Sequence, residues 1–150
     1  MARLPRYLLP PEGVYHVTTR GVDGVAVYRD ARDRLSFLEL LADVVRRYQW
    51  DCYALCLMTT HYHLVVETTL ARLSAGHQRL NGVYAQDHFN RRHARRGHLW
   101  GDRFWSEVVD SDEHLRAACA YVIANPVRAG LCAHPADWRW SGCRFGFAAA

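Results

Sequence analysis

Two apolar runs, Trp50–Leu57 and His61–Glu67, are separated only by Met58-Thr59-Thr60. A gap this short joins neighbouring antiparallel strands and leaves no room for a crossover helix. The middle of the chain is therefore predicted to be a β-hairpin. Ahead of it, Val14–Thr19 reads as a strand closed by Arg20-Gly21 and a turn at Asp23-Gly24. Val25–Tyr28 reads as a short strand or an extended lead-in. Asp30 holds the N-cap place of a helix to about Tyr48: Leu35, Leu38, Leu41, Val45 and Tyr48 recur at helical spacing, and Phe37, Leu40 and Val44 widen the apolar face. After the hairpin, Ser74 to about Arg92 reads as a helix interrupted by Gly76 and Gly82, and Phe104–Val109 as a strand. Asp110, with Glu113 three residues on, opens a last helix. That helix is expected to end at Asn125, because Pro126 disfavours the α conformation before it. The order β-α-β-β-α-β-α predicts an α+β fold, a ferredoxin-like split β-α-β antiparallel sheet with helices on one face and an additional C-terminal helix.

With 150 residues, half of them hydrophobic, residues 1–150 suit a single domain with a real core. No apolar run approaches a membrane span and MARLPRYLLPPEG lacks a signal-peptide core, so a cytoplasmic protein without membrane attachment is expected. Five cysteines, with no CxxC pair, argue against a disulfide framework or zinc knuckle. Cys52 and Cys56, four apart on one strand, are expected on one face as small buried thiols. The net charge is +4 and all 19 basic residues are arginine. Arginine forks match phosphates, although a coding bias towards arginine gives the same count.

His61 and His63 flank Tyr62 on the second hairpin strand, so both imidazoles point to one face, about 6–7 Å apart. Such a pair can share a divalent metal; two solvated surface histidines would have the same spacing. Glu67 shares that face but lies about 13 Å from His63, too far for one ion. His16 on the first strand reads as a structural histidine. Tyr121 lies on an alanine-rich helix with Ala117 and Ala118 one turn back and Asn125 one turn on. It is either a core tyrosine with a hydrogen-bonded tip or a phenol with room to react. The densest basic run holds Arg91, Arg92, Arg95 and Arg96, followed by Trp100, Phe104 and Trp105, a mixture that suits single-stranded nucleic acid. Phe104 and Trp105 face opposite ways on a strand, leaving Trp105 or Phe104 to stack. Arg20 and Arg103 are further candidate contacts, and Trp138 and Trp140 are expected to cover the core.

Tyr121-Val-Ile-Ala-Asn125-Pro126-Val127-Arg128-Ala129-Gly130-Leu131, taken with the HYH strand, resembles the REP-associated tyrosine transposases of the HUH single-strand transposase family. YHVTTRG near the start, GHLWGDRFW from Gly97 to Trp105 and DWRWS from Asp137 to Ser141 match as well. The resemblance implies a ferredoxin-like core with the histidine pair on a central strand. It implies Mg²⁺ or Mn²⁺ on His61 and His63, with Asn125 at a position from which relatives supply a further polar ligand. It also implies that Tyr121 attacks the phosphate of single-stranded, hairpin-containing DNA, leaving a 5′-phosphotyrosine, in a monomer or a homodimer. Two residues depart from the family pattern: Tyr62 stands where a smaller apolar residue is usual, and Thr59-Thr60 where relatives often have Pro-Asn.

Three other readings share these features. A catalytically silent DNA-binding regulator would keep the fold without needing the histidines and Tyr121. A replication initiator or relaxase would share the chemistry but usually carries added domains. A ferredoxin-like RNA-binding protein would need no metal pair.

Overall fold

The computed structural model describes residues 11–102 and 104–147. Five strands form one antiparallel sheet: β1 (Glu12–Arg20), β2 (Asp51–Leu57), β3 (His61–Thr69), β4 (Trp105–Val109) and β5 (Ser141–Cys143), in the order β4-β1-β3-β2-β5. The first four reproduce the expected ferredoxin-like split β-α-β arrangement. β5 pairs with the outer side of β2, Leu55 opposite Gly142. It is three residues long and includes a glycine, too little pattern to stand out from the sequence.

Period-two alternation sends Tyr62, Leu64 and Val66 to one face of β3 and His61, His63 and Val65 to the other. On the first face lies the main core, where Phe37, Leu41 and Val44 of α1 (Ala31–Arg47) and Leu73 and Leu80 of α2 (Leu70–Val83) meet Tyr15, Val17, Tyr62 and Leu64. On the second, α3 (Asp112–Arg128) packs Ala118, Cys119 and Val122 against Ala54, Cys56 and Val65. Tyr62 is fully buried and donates to Asn81 Oδ1 at 2.6 Å, so the unusual bulk at this position is absorbed by the main core.

Several boundaries differ from the sequence expectation. Val25–Tyr28 pairs into no strand. α2 starts at Leu70, four residues before Ser74, because Thr69 ends β3 and caps the helix at once, its side chain accepting from the Arg72 N–H. Gly76 does not interrupt α2. A Cβ there would stand 2.4 Å from the Trp50 ring, so the glycine is the seat of that indole, whose Nε1 donates to the Arg72 carbonyl. α2 then widens into a π-helical segment, Tyr84–Asn90. The cap of α3 is Ser111, which accepts from the His114 N–H.

Two corrections bear on the site. Cys52 and Cys56 do not share a face: a β-bulge at Tyr53 adds a residue, so Cys52 pairs with Val66 and Cys56 with His63. And α3 does not stop at Asn125 but runs through Pro126 to Arg128. Proline has no N–H for the Val122 carbonyl. The Asn125 side chain fills the gap, its Nδ2 donating to Val122 O at 3.2 Å and to Tyr121 O at 3.3 Å.

Candidate active site

The second face of the sheet holds a cleft of about 610 Å³ between β1, β3, β4 and α3, lined by His16, Thr18, Arg20, His63, Trp105, Glu107, His114, Ala117, Ala118 and Tyr121. The antiparallel registers build it in rows: Arg20 opposite His61, Thr18 between His63 and Trp105, His16 between Val65 and Glu107. A second hollow, of about 560 Å³, shares Thr18, Arg20 and Trp105 and extends to His98, Trp100 and Asp102.

The two expected histidines come together. His61 does not itself line the cleft, but its ring centroid lies 5.2 Å from that of His63, with the planes at 79°. Thr60 Oγ1 is 3.0 Å from His61 Nδ1, so the departure at Thr59-Thr60 leaves His61 a partner of its own. His63 Nδ1 lies 3.0 Å from Thr18 Oγ1 and 3.1 Å from His16 Nε2. His63 Nε2 is buried and, among the described residues, has no hydrogen-bond partner. Burial, then the charge of Arg20, pushes His61 down to about 4. Burial, then the neighbouring His16 and His61, pushes His63 well below the usual histidine range. Neutral imidazoles keep a lone pair for a ligand, and an unpartnered buried nitrogen is the position a metal would satisfy. The pair therefore fits a divalent cation. Among the described residues, no group of three or more histidine, cysteine, aspartate or glutamate side chains is arranged to hold one, so the pair alone would offer two nitrogens to such an ion.

His16 is buried and is a structural partner of His63. It also stands 5.9 Å from the Tyr121 ring, and that ring is 6.3 Å from the His63 ring. Tyr121 is half exposed, at 51 %, and lines the cleft together with the small Ala117 and Ala118 one turn back. Tyr84, by contrast, is fully buried and donates to the Val27 carbonyl, and burial pushes it far above the usual phenol range. Asn125 does not line the cleft; its amide nitrogen is spent on helix carbonyls, which leaves its Oδ1 for any ligand. Glu67 accepts from the Tyr53 hydroxyl, away from the histidines.

The basic run divides. Arg91 and Arg96 are exposed. Arg92 is instead an internal clamp: it bonds Asp30 and the fully buried Asp33 at 2.6 Å, and His88 and His93 complete the shell of Asp33. Arg95 folds onto Asn90 Oδ1 and the His98 carbonyl. Trp100 is packed in the main core and donates to Asn81 O, although its edge reaches the second hollow. Phe104 is core and Trp105 faces the cleft, the opposed pair that strand alternation requires. Arg20 is exposed on both hollows. Arg103 lies outside the described residues. Trp138 and Trp140 pack on the two cores and stand near the Arg34 guanidinium.

Three residues that line this cleft, Thr18, Glu107 and His114, and a fourth that stacks on Tyr121, Arg128, escaped the sequence reading. Thr18 and Glu107 follow from strand parity once the register is known. His114 and Arg128 are seven residues either side of Tyr121, two helical turns, and so share its face; that spacing was the available signal. The Arg128 guanidinium lies 3.9 Å above the Tyr121 ring centroid.

A family model described as transposase IS200 like matches residues 13–125. A Haemophilus influenzae protein named as a REP-associated tyrosine transposase is 27% identical over 104 residues, which cover 63% of this chain and 59% of the relative, so the match spans about three-fifths of that protein. Among solved structures, a REP-associated tyrosine transposase bound to a REP hairpin superposes with a TM-score of 0.65 at 18% identity, covering 94% of this chain and 82% of that one. A transposase structure from Deinococcus radiodurans gives 0.53 at 20% identity, covering 83% of this chain and 97% of that one. At these identities the two structures share the fold.

Proposed function

Because the chain belongs to the IS200-like transposase family, we propose that it cuts and rejoins single-stranded DNA at hairpin-forming repeats, with Tyr121 as nucleophile. The observation that carries this reading is the meeting of Tyr121 with His63 on one cleft: among the described tyrosines, only Tyr121 lines it. His61 and His63 would hold the metal, with the Asn125 Oδ1 as a further ligand. A divalent ion there, Mg²⁺ or Mn²⁺, supplies Lewis-acid polarisation of a non-bridging phosphate oxygen.

The chain's own groups do the rest. Tyr121 Oη attacks phosphorus, the Oη–P bond forms and the P–O3′ bond breaks. The phenolic proton ends on the departing 3′ oxygen. A 5′-phosphotyrosine and a free 3′-OH remain, and no water is consumed. The 3′-OH of another strand can then reverse the step on the same phosphotyrosine, which joins strands where a hydrolase would only cut. Thr18 and His16 hold His63 in one orientation while this occurs. Arg20, Arg91, Arg96 and Trp105 offer charge and a ring to an unpaired strand.

The test is strand state. Purified protein with Mn²⁺ is incubated with a pool of single strands in which a fixed hairpin is flanked by randomised sequence, and in parallel with the same pool as blunt duplex. Covalent adducts are expected on denaturing gels from the single strands alone. Equal cleavage of blunt duplex would assign the protein to another nuclease class, and DNA binding without any adduct would favour the silent regulator.

A further inference from the structure

An arginine in the last turn of a helix ordinarily offsets the negative end of the helix dipole from solvent. Arg128 does something more specific. Its guanidinium stacks on the Tyr121 ring at 3.9 Å, and its Nη2 donates to the Tyr121 carbonyl at 2.9 Å. It reaches that ring only because Asn125 carries α3 through Pro126; a helix ending at Asn125 would not place residue 128 two turns above residue 121.

The charge of Arg128 is unspent. Among the described residues no carboxylate pairs with it or with Arg20. Arg20 stands opposite His61 in the β1–β3 register. The carboxylate of the cleft, Glu107, stands opposite His16, four residues back along β1 and so about 13 Å away. Arg20 thus lines the cleft from the sheet, and Arg128 stands over the Tyr121 ring from the helix. Any phosphorus bonded to Tyr121 Oη falls within reach of the Arg128 side chain.

We propose that Arg128 is a catalytic residue, a cation that contacts the phosphate under attack and the phosphotyrosine that follows. The proposal rests on Tyr121 being the nucleophile. Its role is charge stabilisation of a phosphoryl group whose oxygens carry the developing charge.

The test is single-turnover adduct formation on a hairpin oligonucleotide selected from the pool described above, comparing wild type with Tyr121→Phe, Arg128→Gln and Arg128→Lys. Glutamine removes both the charge and the reach to the Tyr121 carbonyl, whereas lysine restores a charge without the guanidinium fork, so the pair of variants separates charge from helix support. Arg128→Gln is expected to lower the rate about a hundredfold while the half-saturating DNA concentration changes by less than about threefold. Arg128→Lys, which restores charge without the planar fork, should recover at least about tenfold of that loss. If wild type forms an adduct and Arg128→Gln forms it at a comparable rate, Arg128 only supports the helix and the proposal is overturned. A lysine variant as slow as glutamine would overturn it too. If wild type forms no adduct, or Tyr121→Phe still does, the nucleophile assignment fails first and this proposal with it.

Discussion

Tyr121 and His63 face each other across the sheet–helix interface, their rings 6.3 Å apart and nearly perpendicular, although 58 residues separate them along the chain. α3 brings the phenol and β3 brings the imidazole pair. The contact exists only when the third helix packs on the histidine face of the sheet.

Replacing His63 by alanine is expected to abolish Mn²⁺ binding in calorimetry and adduct formation. It also strands Thr18 Oγ1 and His16 Nε2, so a stability loss of about 1–3 kcal/mol should accompany it. His61 is less buried, so His61→Ala should lose metal with little change in stability. Unchanged Mn²⁺ affinity in the double variant would contradict the assignment of the pair.

The Asp33 clamp gives a pH-dependent expectation. Burial opposes the charge of Asp33, but the Arg29 N–H and then Arg92, His93 and His88 overcome it and hold its carboxyl below the usual range. A carboxylate so depressed adds stability above its unfolded pKa of about 4 and loses it as pH falls through the lower folded value. Asp33→Asn should therefore cost about 3–5 kcal/mol at pH 7, with a shrinking difference from wild type in melts below about pH 4. A pH-independent difference would show that the carboxylate charge is not what Arg92 secures.

Asn125 and Pro126 should be energetically coupled. Asn125→Ala leaves the Val122 carbonyl without a donor and is expected to cost about 1–2 kcal/mol. In a Pro126→Ala background the backbone N–H returns and the same substitution should cost far less. Additive losses in denaturant unfolding would mean that the side chain does not bridge the proline gap.

The divided basic run predicts divided salt behaviour. Arg91→Ala and Arg96→Ala should each flatten the dependence of single-strand affinity on salt, by about 0.7 in the log–log slope, in fluorescence anisotropy. Arg92→Ala should lower the melting temperature instead, because its partners are Asp30 and Asp33. An effect of Arg92→Ala on the slope without one on stability would reverse that division.

What was legible in the sequence is what depends on local period and spacing. The hairpin follows from the three-residue gap between two apolar runs, and the shared face of His61 and His63 from alternation along one strand. Features set by partners distant in sequence were not legible. Arg91 and Arg92 are neighbours of one type, and only the fold shows that Arg92 is tied to Asp30 and Asp33, about sixty residues earlier. The Tyr53 bulge and the continuation through Pro126 break local rules at places where another group makes good the loss. For Pro126 that group was visible, since asparagine precedes it, but its helical role emerges only when the carbonyls of Tyr121 and Val122 are seen to need a donor.

The most direct measurement is the identity of the residue that holds the DNA. Protein trapped on the hairpin oligonucleotide is digested with protease and nuclease, and the nucleotide-bearing peptide is sequenced by mass spectrometry, with Tyr121→Phe and Tyr84→Phe run alongside. The modification is expected on Tyr121, present in Tyr84→Phe and absent in Tyr121→Phe. An adduct that persists in Tyr121→Phe, or that maps to Tyr84, would contradict the account.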